Sequence, residues 1–207
     1  YAQFQAFIDD PNGLNSDAHN WFEGLHTKAT QMGLMEQKWK YNNHPRDSVN
    51  WYQAMAFCRW LSYKLGGSYD LDDVASWAVR LPTEFEWEKA ARGTDGLIYP
   101  YGDEFDASKS NTVEAGIGQT SVVGIFPDGA SSYGVLDMSG NVWDWCLSGY
   151  YNPADYPNAE DLSISSVRVL RGGSFFSYQD QVRASHRGKS SSSKRWNIFG
   201  FRVVTSN

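Results

Sequence analysis

The stretch Arg168-Val169-Leu170-Arg171-Gly172-Gly173-Ser174 decides how this chain is read, together with the Gly200-Phe201-Arg202-Val203-Val204 that follows it. Arg168 to Leu170 alternates charged and apolar residues, the pattern of a half-buried strand. Gly172-Gly173 breaks that strand where the backbone must turn or be closely approached. Phe201 to Val204 is aromatic and β-branched and predicts a second strand. Between these flanks the composition changes: Phe175, Phe176, Ser177 and Tyr178, then serines mixed with basic residues, then Trp196. The flanks read as framework, and residues 175–199 as a surface that the framework holds up.

Outward from that stretch, 207 residues suffice for one large domain with a substantial core. The net charge of -6, from 24 acidic against 18 basic residues, argues against general nucleic-acid binding. No apolar run is long enough for a membrane span. The chain opens at Tyr1 rather than at a methionine, which reads as a piece of a longer protein and leaves its compartment open between cytoplasm and cell surface. Nine Trp, twelve Tyr and eleven Phe supply large areas for a core and for an interface. Cys58 and Cys146 both lie in apolar surroundings and read as buried, inert thiols, and no Cys/His spacing suggests zinc.

Three helices are expected. Tyr1 to Ile8 has Phe4, Phe7 and Ile8 at helical spacing and ends at Asp9-Asp10-Pro11-Asn12-Gly13. Asn50 caps the second, with Gln53 at the capping-box position and Ala54, Phe57, Cys58, Leu61 and Leu65 on one face, and Gly66-Gly67 stops it. Thr83 caps the third, with Glu86 completing the box, Phe85, Trp87, Ala90 and Ala91 at buried positions, and Gly93 at its end. Residues 94–135 read as irregular and glycine-rich, with a short strand at Ser121–Phe126.

Five stretches, in this order, resemble one family. Val49-Asn-Trp-Tyr-Gln-Ala-Met-Ala-Phe-Cys58 and Arg80-Leu-Pro-Thr-Glu-Phe-Glu-Trp-Glu-Lys-Ala-Ala-Arg-Gly93 look like its two helices. Tyr99-Pro-Tyr-Gly102, Gly134-Val-Leu-Asp-Met-Ser-Gly-Asn-Val-Trp-Asp-Trp145 and Arg171-Gly-Gly-Ser174 with Gly200-Phe-Arg202 complete the set. The family is that of the formylglycine-generating enzymes, or sulfatase-modifying factors. The resemblance covers almost the whole chain and implies a single α+β domain over 1–207 with a C-type-lectin-like fold, loop-rich and low in regular secondary structure. The family's usual N-terminal strand segment is not in this sequence.

Fold does not carry function with it. The oxidase members use two cysteines in the C-terminal insert, at positions that are Ser177 and Val182 here. Neither side chain forms a thiolate, so copper binding and disulfide exchange are not expected. The layout is instead similar to that of non-catalytic members, the variable proteins of diversity-generating retroelements, in which a fixed frame carries an insert mutagenised at template adenines. Phe176, Ser177, Tyr178, Asp180, His186, Gly188, Ser190, Ser191, Ser193, Asn197 and Ile198 are all reachable from an Asn codon changed at its adenines. Trp196 and Lys189 are reached less easily and depart from that pattern. These eleven residues and Trp196 are the candidate ligand contacts, with Phe176, Tyr178 and Trp196 as exposed aromatic anchors. The expected partner is a protein or other ligand bound through residues 176–198. A basic cluster of Arg183, Arg187, Lys189, Lys194 and Arg195 is a candidate site for an anion. The resemblance also implies a structural calcium ion on Asp137, Gly140, Val142 and Asp144, where one tight turn presents several hard oxygens. The rival readings are an oxidase of the same family and a regulatory module of a larger kinase- or protease-type protein.

Overall fold

Asn50 and Thr83 start the two longer helices as their sequences predict. Each side chain accepts from the backbone N–H three residues on, and Gln53 and Glu86 return the bond. The computed structural model describes residues 1–25, 33–150 and 167–205. In chain order its elements are α1 (Ala2–Asp9), α2 (Trp51–Lys64), β1 (Val79–Arg80), α3 (Glu84–Arg92), β2 (Trp143–Gly149), β3 (Val167–Arg171), β4 (Gly188–Ser191), β5 (Phe199–Gly200) and β6 (Val204–Thr205). The main sheet has the order β4-β3-β2-β5, and β1 pairs with β6 in a separate two-stranded ladder. β3 runs antiparallel to β2 and β4, whereas β5 lies parallel to β2. This is an α+β fold with few regular elements and long ordered loops.

All seven residues of β2 are buried. A strand's side chains alternate between faces, so a strand buried throughout must have a core on each side. Trp143, Trp145 and Leu147 enter a large cluster with α1 and α2, containing Phe4, Phe7, Phe57 and Trp60. Cys146 points the other way, into a smaller cluster with Trp87, Met138, Val169 and Ala184. β3 divides likewise, Leu170 to the first cluster and Val169 to the second. Buried indoles need partners for their N–H groups. Trp51 donates to the Cys146 carbonyl at 2.9 Å and Trp145 to the Val49 carbonyl at 3.0 Å, which joins the start of α2 to β2. Both cysteines are buried and free, and burial pushes both thiols up.

Four expectations are corrected. The alternation in β3 does not place its arginines in solvent, since Arg168 and Arg171 are 1% and 0% exposed. Phe201–Val203 lies outside any strand, and only Val204–Thr205 joins a ladder, opposite β1. Residues 121–126 form a turn around Gly124 (φ 76°), whose N–H donates to Asp137, in place of a strand. Phe85 is 61% exposed. The inward face of α3 is Glu84, Trp87 and Ala91, at helical spacing, and the carboxylate of Glu84 takes the inner place because arginines wait for it there.

Candidate functional site

The insert leaves the framework at the Gly172-Gly173 turn, where both residues have positive φ (88° and 74°). A Cβ on Gly173 would come within 2.5 Å of Val182 and 3.3 Å of the Ser177 Cβ. Positions 177 and 182 therefore pack together against this glycine. Ser177 is 3% exposed, its Oγ accepts from the Ser174 N–H at 3.1 Å, and Val182 is fully buried. Ser177 thus stands apart from the other candidate contacts: it closes the turn and offers a partner no surface.

The middle of the insert is clamped to α3. Arg171 donates through Nη1 to the carbonyls of Ser185 (3.0 Å) and His186 (2.7 Å), and through Nη2 to the carbonyl of Ala184 (3.0 Å). Nη2 also reaches Glu88 Oε2 at 2.5 Å. Arg187 grips buried Glu84 with two bonds, Nε to Oε1 at 2.6 Å and Nη2 to Oε2 at 2.8 Å, the planar fork matched to a carboxylate. Its guanidinium lies 4.6 Å from the Tyr150 ring centre. The proposed basic cluster therefore does not act as one group, because Arg187 is committed to the framework. His186 is half-buried with its ring 5.8 Å from that of Trp143, and burial, then neighbouring Arg183, hold its imidazole below the usual value. Gly188 lies against Trp143, where a Cβ would come within 2.7 Å of the indole.

Two stretches remain on either side of the clamp. In the first, Phe176 is 69% and Tyr178 59% exposed, and Asp180 is exposed beside them. In the second, Trp196 is 54% exposed and Asn197 is exposed, whereas Ser190, Ser191, Ser193 and Ile198 are half-buried. Ser190 and Ser191 belong to β4 and pair in register with Arg168 and Val167 of β3. The Ile198 carbonyl accepts from the Trp143 N–H at 2.8 Å. Residues outside the insert adjoin both stretches. The Trp39 ring meets Phe175 edge-on at 5.5 Å, and Phe175 meets Phe176 at 5.7 Å. The Trp196 carbonyl accepts from the Ser48 N–H at 3.2 Å, and Arg195 donates to the Gly33 carbonyl. Glu114 Oε1 accepts from the Gln179 N–H at 2.9 Å. The sequence reading missed Trp39 and Glu114, which lie far from the insert along the chain and carry no local signal.

The turn at 137–144 is shaped by three residues of positive φ, Asp137 (56°), Gly140 (81°) and Asn141 (64°). A Cβ on Gly140 would stand 2.1 Å from the Asn111 carbonyl oxygen. Asp137 accepts from Gly124 N–H through Oδ2 at 2.7 Å, and burial pushes its carboxyl up from the usual carboxylate value. Asp144 Oδ2 accepts from Trp87 Nε1 at 2.9 Å and from Arg202 Nε at 2.6 Å. Arg202 Nη2 also donates to the Asp137 carbonyl at 2.8 Å. Asp144 thus uses one oxygen, Asp137 is bonded by Gly124 and by the Asn141 side chain, and among the described residues the carbonyls of Gly140 and Val142 accept no hydrogen bond. The four residues line one cavity of about 900 Å³, which gives an ion a way in. Two carboxylates and two carbonyls are donors of the type a hard cation takes, although Arg202 already pairs with Asp144 and with the Asp137 carbonyl. Among the described residues no group of three or more His, Cys, Asp or Glu side chains is placed to hold a metal.

The family model for the sulfatase-modifying factor enzyme 1-like domain matches residues 1–207. The serine/threonine-protein kinase pkn1 of Chlamydia pneumoniae is 34% identical over 171 residues, 79% of this chain and 24% of that protein. The inactive C-alpha-formylglycine-generating enzyme 2 of Bos taurus is 34% identical over 152 residues, 68% of this chain and 41% of that protein. The chain therefore spans well under half the length of these curated relatives. Among solved structures, Treponema denticola variable protein 1 superposes with a TM-score of 0.66 at 26% identity, over 82% of this chain and 74% of that one.

Proposed function

Because the chain belongs to the sulfatase-modifying factor enzyme 1-like domain family, we propose that it is a non-catalytic member whose C-terminal insert is a ligand-binding surface, as in the variable proteins of diversity-generating retroelements. The division within the insert carries this reading. Residues 184–187 are locked by Arg171 and Glu84, while Phe176, Tyr178 and Trp196 stand exposed on either side of that lock. Exposed aromatics on a rigid support give contact area at small entropic cost. The likeness to a bacterial variable protein and to a vertebrate relative named inactive supports the same reading. So does the chemistry of Ser177 and Val182, which have no sulfur to exchange or to bind copper.

The decisive observation is the DNA beside the gene. A reverse transcriptase and an adenine-rich near-copy of the segment encoding residues 171–204 are expected there. Oxidation of a cysteine-containing sulfatase peptide by the purified protein overturns the reading in favour of an oxidase. The short share of the kinase relative that is matched favours a second, compatible reading, in which this domain is the recognition module of a longer protein.

The calcium site belongs to the same proposal as a support for the frame. Asp137 and Asp144 would supply carboxylate oxygens and Gly140 and Val142 carbonyls. The bound ion would tie the 137–142 turn to β2, beneath the Gly172 carbonyl that accepts from the Gly140 N–H at 2.7 Å.

A further inference from the structure

The charge of this chain is divided unevenly. Of its 18 basic and 24 acidic residues, five basic and one acidic fall within 175–199, leaving 13 against 23 elsewhere. Arg187 is paired to Glu84, but Arg183, Lys189, Lys194 and Arg195 take part in no ion pair among the described residues. The insert is thus a cationic face on an anionic body.

That face continues onto a segment outside the insert. Gln37 is buried and pins the segment: its Nε2 donates to the carbonyls of Trp39 and Pro45, both at 2.9 Å, and its Oε1 accepts from the Asp47 N–H at 3.2 Å. Pinned in this way, the segment sets half-buried Trp39 against Phe175 and so beside exposed Phe176. Lys38 is exposed, with its ammonium 4.8 Å from the Trp39 ring centre and in no ion pair among the described residues. On either side of this point along the chain, Gly33 and Ser48 hold Arg195 and Trp196. One tethered segment therefore touches the insert at Phe175, beside Phe176, and again at Arg195 and Trp196, and it carries the exposed Lys38 between those contacts. Residues 36–41 also line a shallow hollow of about 590 Å³.

We propose that Lys38 and Trp39 form a constant part of the display surface, and that the composite face of Phe176, Trp39, Trp196, Lys38, Lys194 and Arg195 takes an acidic protein surface. This rests on the display reading above and names the chemistry of its partner. Aromatic anchors beside unpaired cations suit an epitope carrying carboxylates around an apolar centre. A long polyanion would meet the acidic body as soon as it left this face, which favours a compact acidic epitope over nucleic acid or a sulfated polysaccharide.

The test is selection of a random peptide library on phage against the full chain. Enriched peptides are expected to carry an excess of Asp and Glu together with apolar residues. Their affinity should fall at least about tenfold in Lys38→Glu and in the double variant Lys194→Glu/Arg195→Glu, and also with added salt. Trp39→Ala should weaken binding as much as Phe176→Ala does. Circular dichroism checks that each variant remains folded, as the exposure of Lys38 and Lys194 leads one to expect. Enriched peptides without acidic excess, or acidic peptides indifferent to the charge reversals, overturn the inference. The display reading survives that result provided Phe176→Ala and Trp196→Ala still abolish binding. Peptides that bind all the aromatic variants equally, or a failure to enrich any, count against both. Heparin binding as tightly as the selected peptides overturns the acidic-protein assignment alone.

Discussion

Arg171 shows how much one side chain does here. Its guanidinium is buried, meets Glu84 and Glu88, and satisfies three successive carbonyls of the insert. Removing one partner of a buried charge pair leaves the other uncompensated. Arg171→Ala and Glu84→Gln are each expected to lower stability by about 3–5 kcal/mol in chemical denaturation. The exposed anchors behave in the opposite way. Phe176→Ala and Tyr178→Ala should shift stability by no more than about 0.5 kcal/mol while removing ligand affinity. Ser177→Ala should cost about 1 kcal/mol, since its hydroxyl closes the Gly-Gly turn. A Ser177→Ala variant as stable as the parent but deficient in binding would reverse that assignment. Composition alone told of aromatics and serines in this insert; which of them face outward depends on the clamp, whose acidic half lies some hundred residues upstream in α3.

At the scale of elements, signals confined to a few residues were legible. The capping boxes at Asn50 and Thr83 involve contacts three residues apart, so the chain carries them locally. Asn50→Ala and Thr83→Ala are each expected to cost about 1 kcal/mol. β2 illustrates the reverse. Its even burial follows from a core on each face, and Trp145→Ala should cost about 3–5 kcal/mol because it opens a cavity in the larger one. Gly140→Ala should be poorly tolerated, as its backbone has positive φ and its Cβ would collide with the Asn111 carbonyl. Thermal unfolding of the two variants measures both expectations. The strand expected at Ser121–Phe126 became a turn because Asp137, from a distant segment, captures the Gly124 N–H.

At the scale of the whole molecule, stability should depend on pH and on calcium. Burial pushes the Asp47 carboxyl up to about 6 from a usual 3.8, against the pull of Ser48 and Arg46. The folded chain holds that proton more tightly than the unfolded chain. The stability this group contributes is therefore full below the usual carboxylate value and lost as pH rises through about 6. Asp47→Asn should flatten this fall, read as the denaturation midpoint between about pH 4 and pH 7. Glu86 acts oppositely: Arg80, chiefly, holds it down to about 2, so its contribution is present above the usual value and lost as pH falls toward 2. For the 137–144 turn, calcium should raise the melting temperature and EGTA reverse the rise. The gain would be about 2.7 kcal/mol at a hundredfold excess over Kd. An identical melting curve in calcium and in EGTA, repeated with Asp144→Asn, removes the ion from the account.

The sequence by itself determined the family, the α+β class, the helix starts and the place where the insert leaves the frame. These rest on short-range physics: caps, glycine turns, apolar spacing and motifs read within one segment. Only the tertiary structure decided that Arg168 and Arg171 lie inside, that Ser177 is sealed and Phe85 exposed, and that Trp39 adjoins the insert. An arginine sits in a core only where distant carboxylates and carbonyls meet it, and an aromatic is exposed only where nothing folds over it. Neither condition is written in the residue's own neighbourhood along the chain.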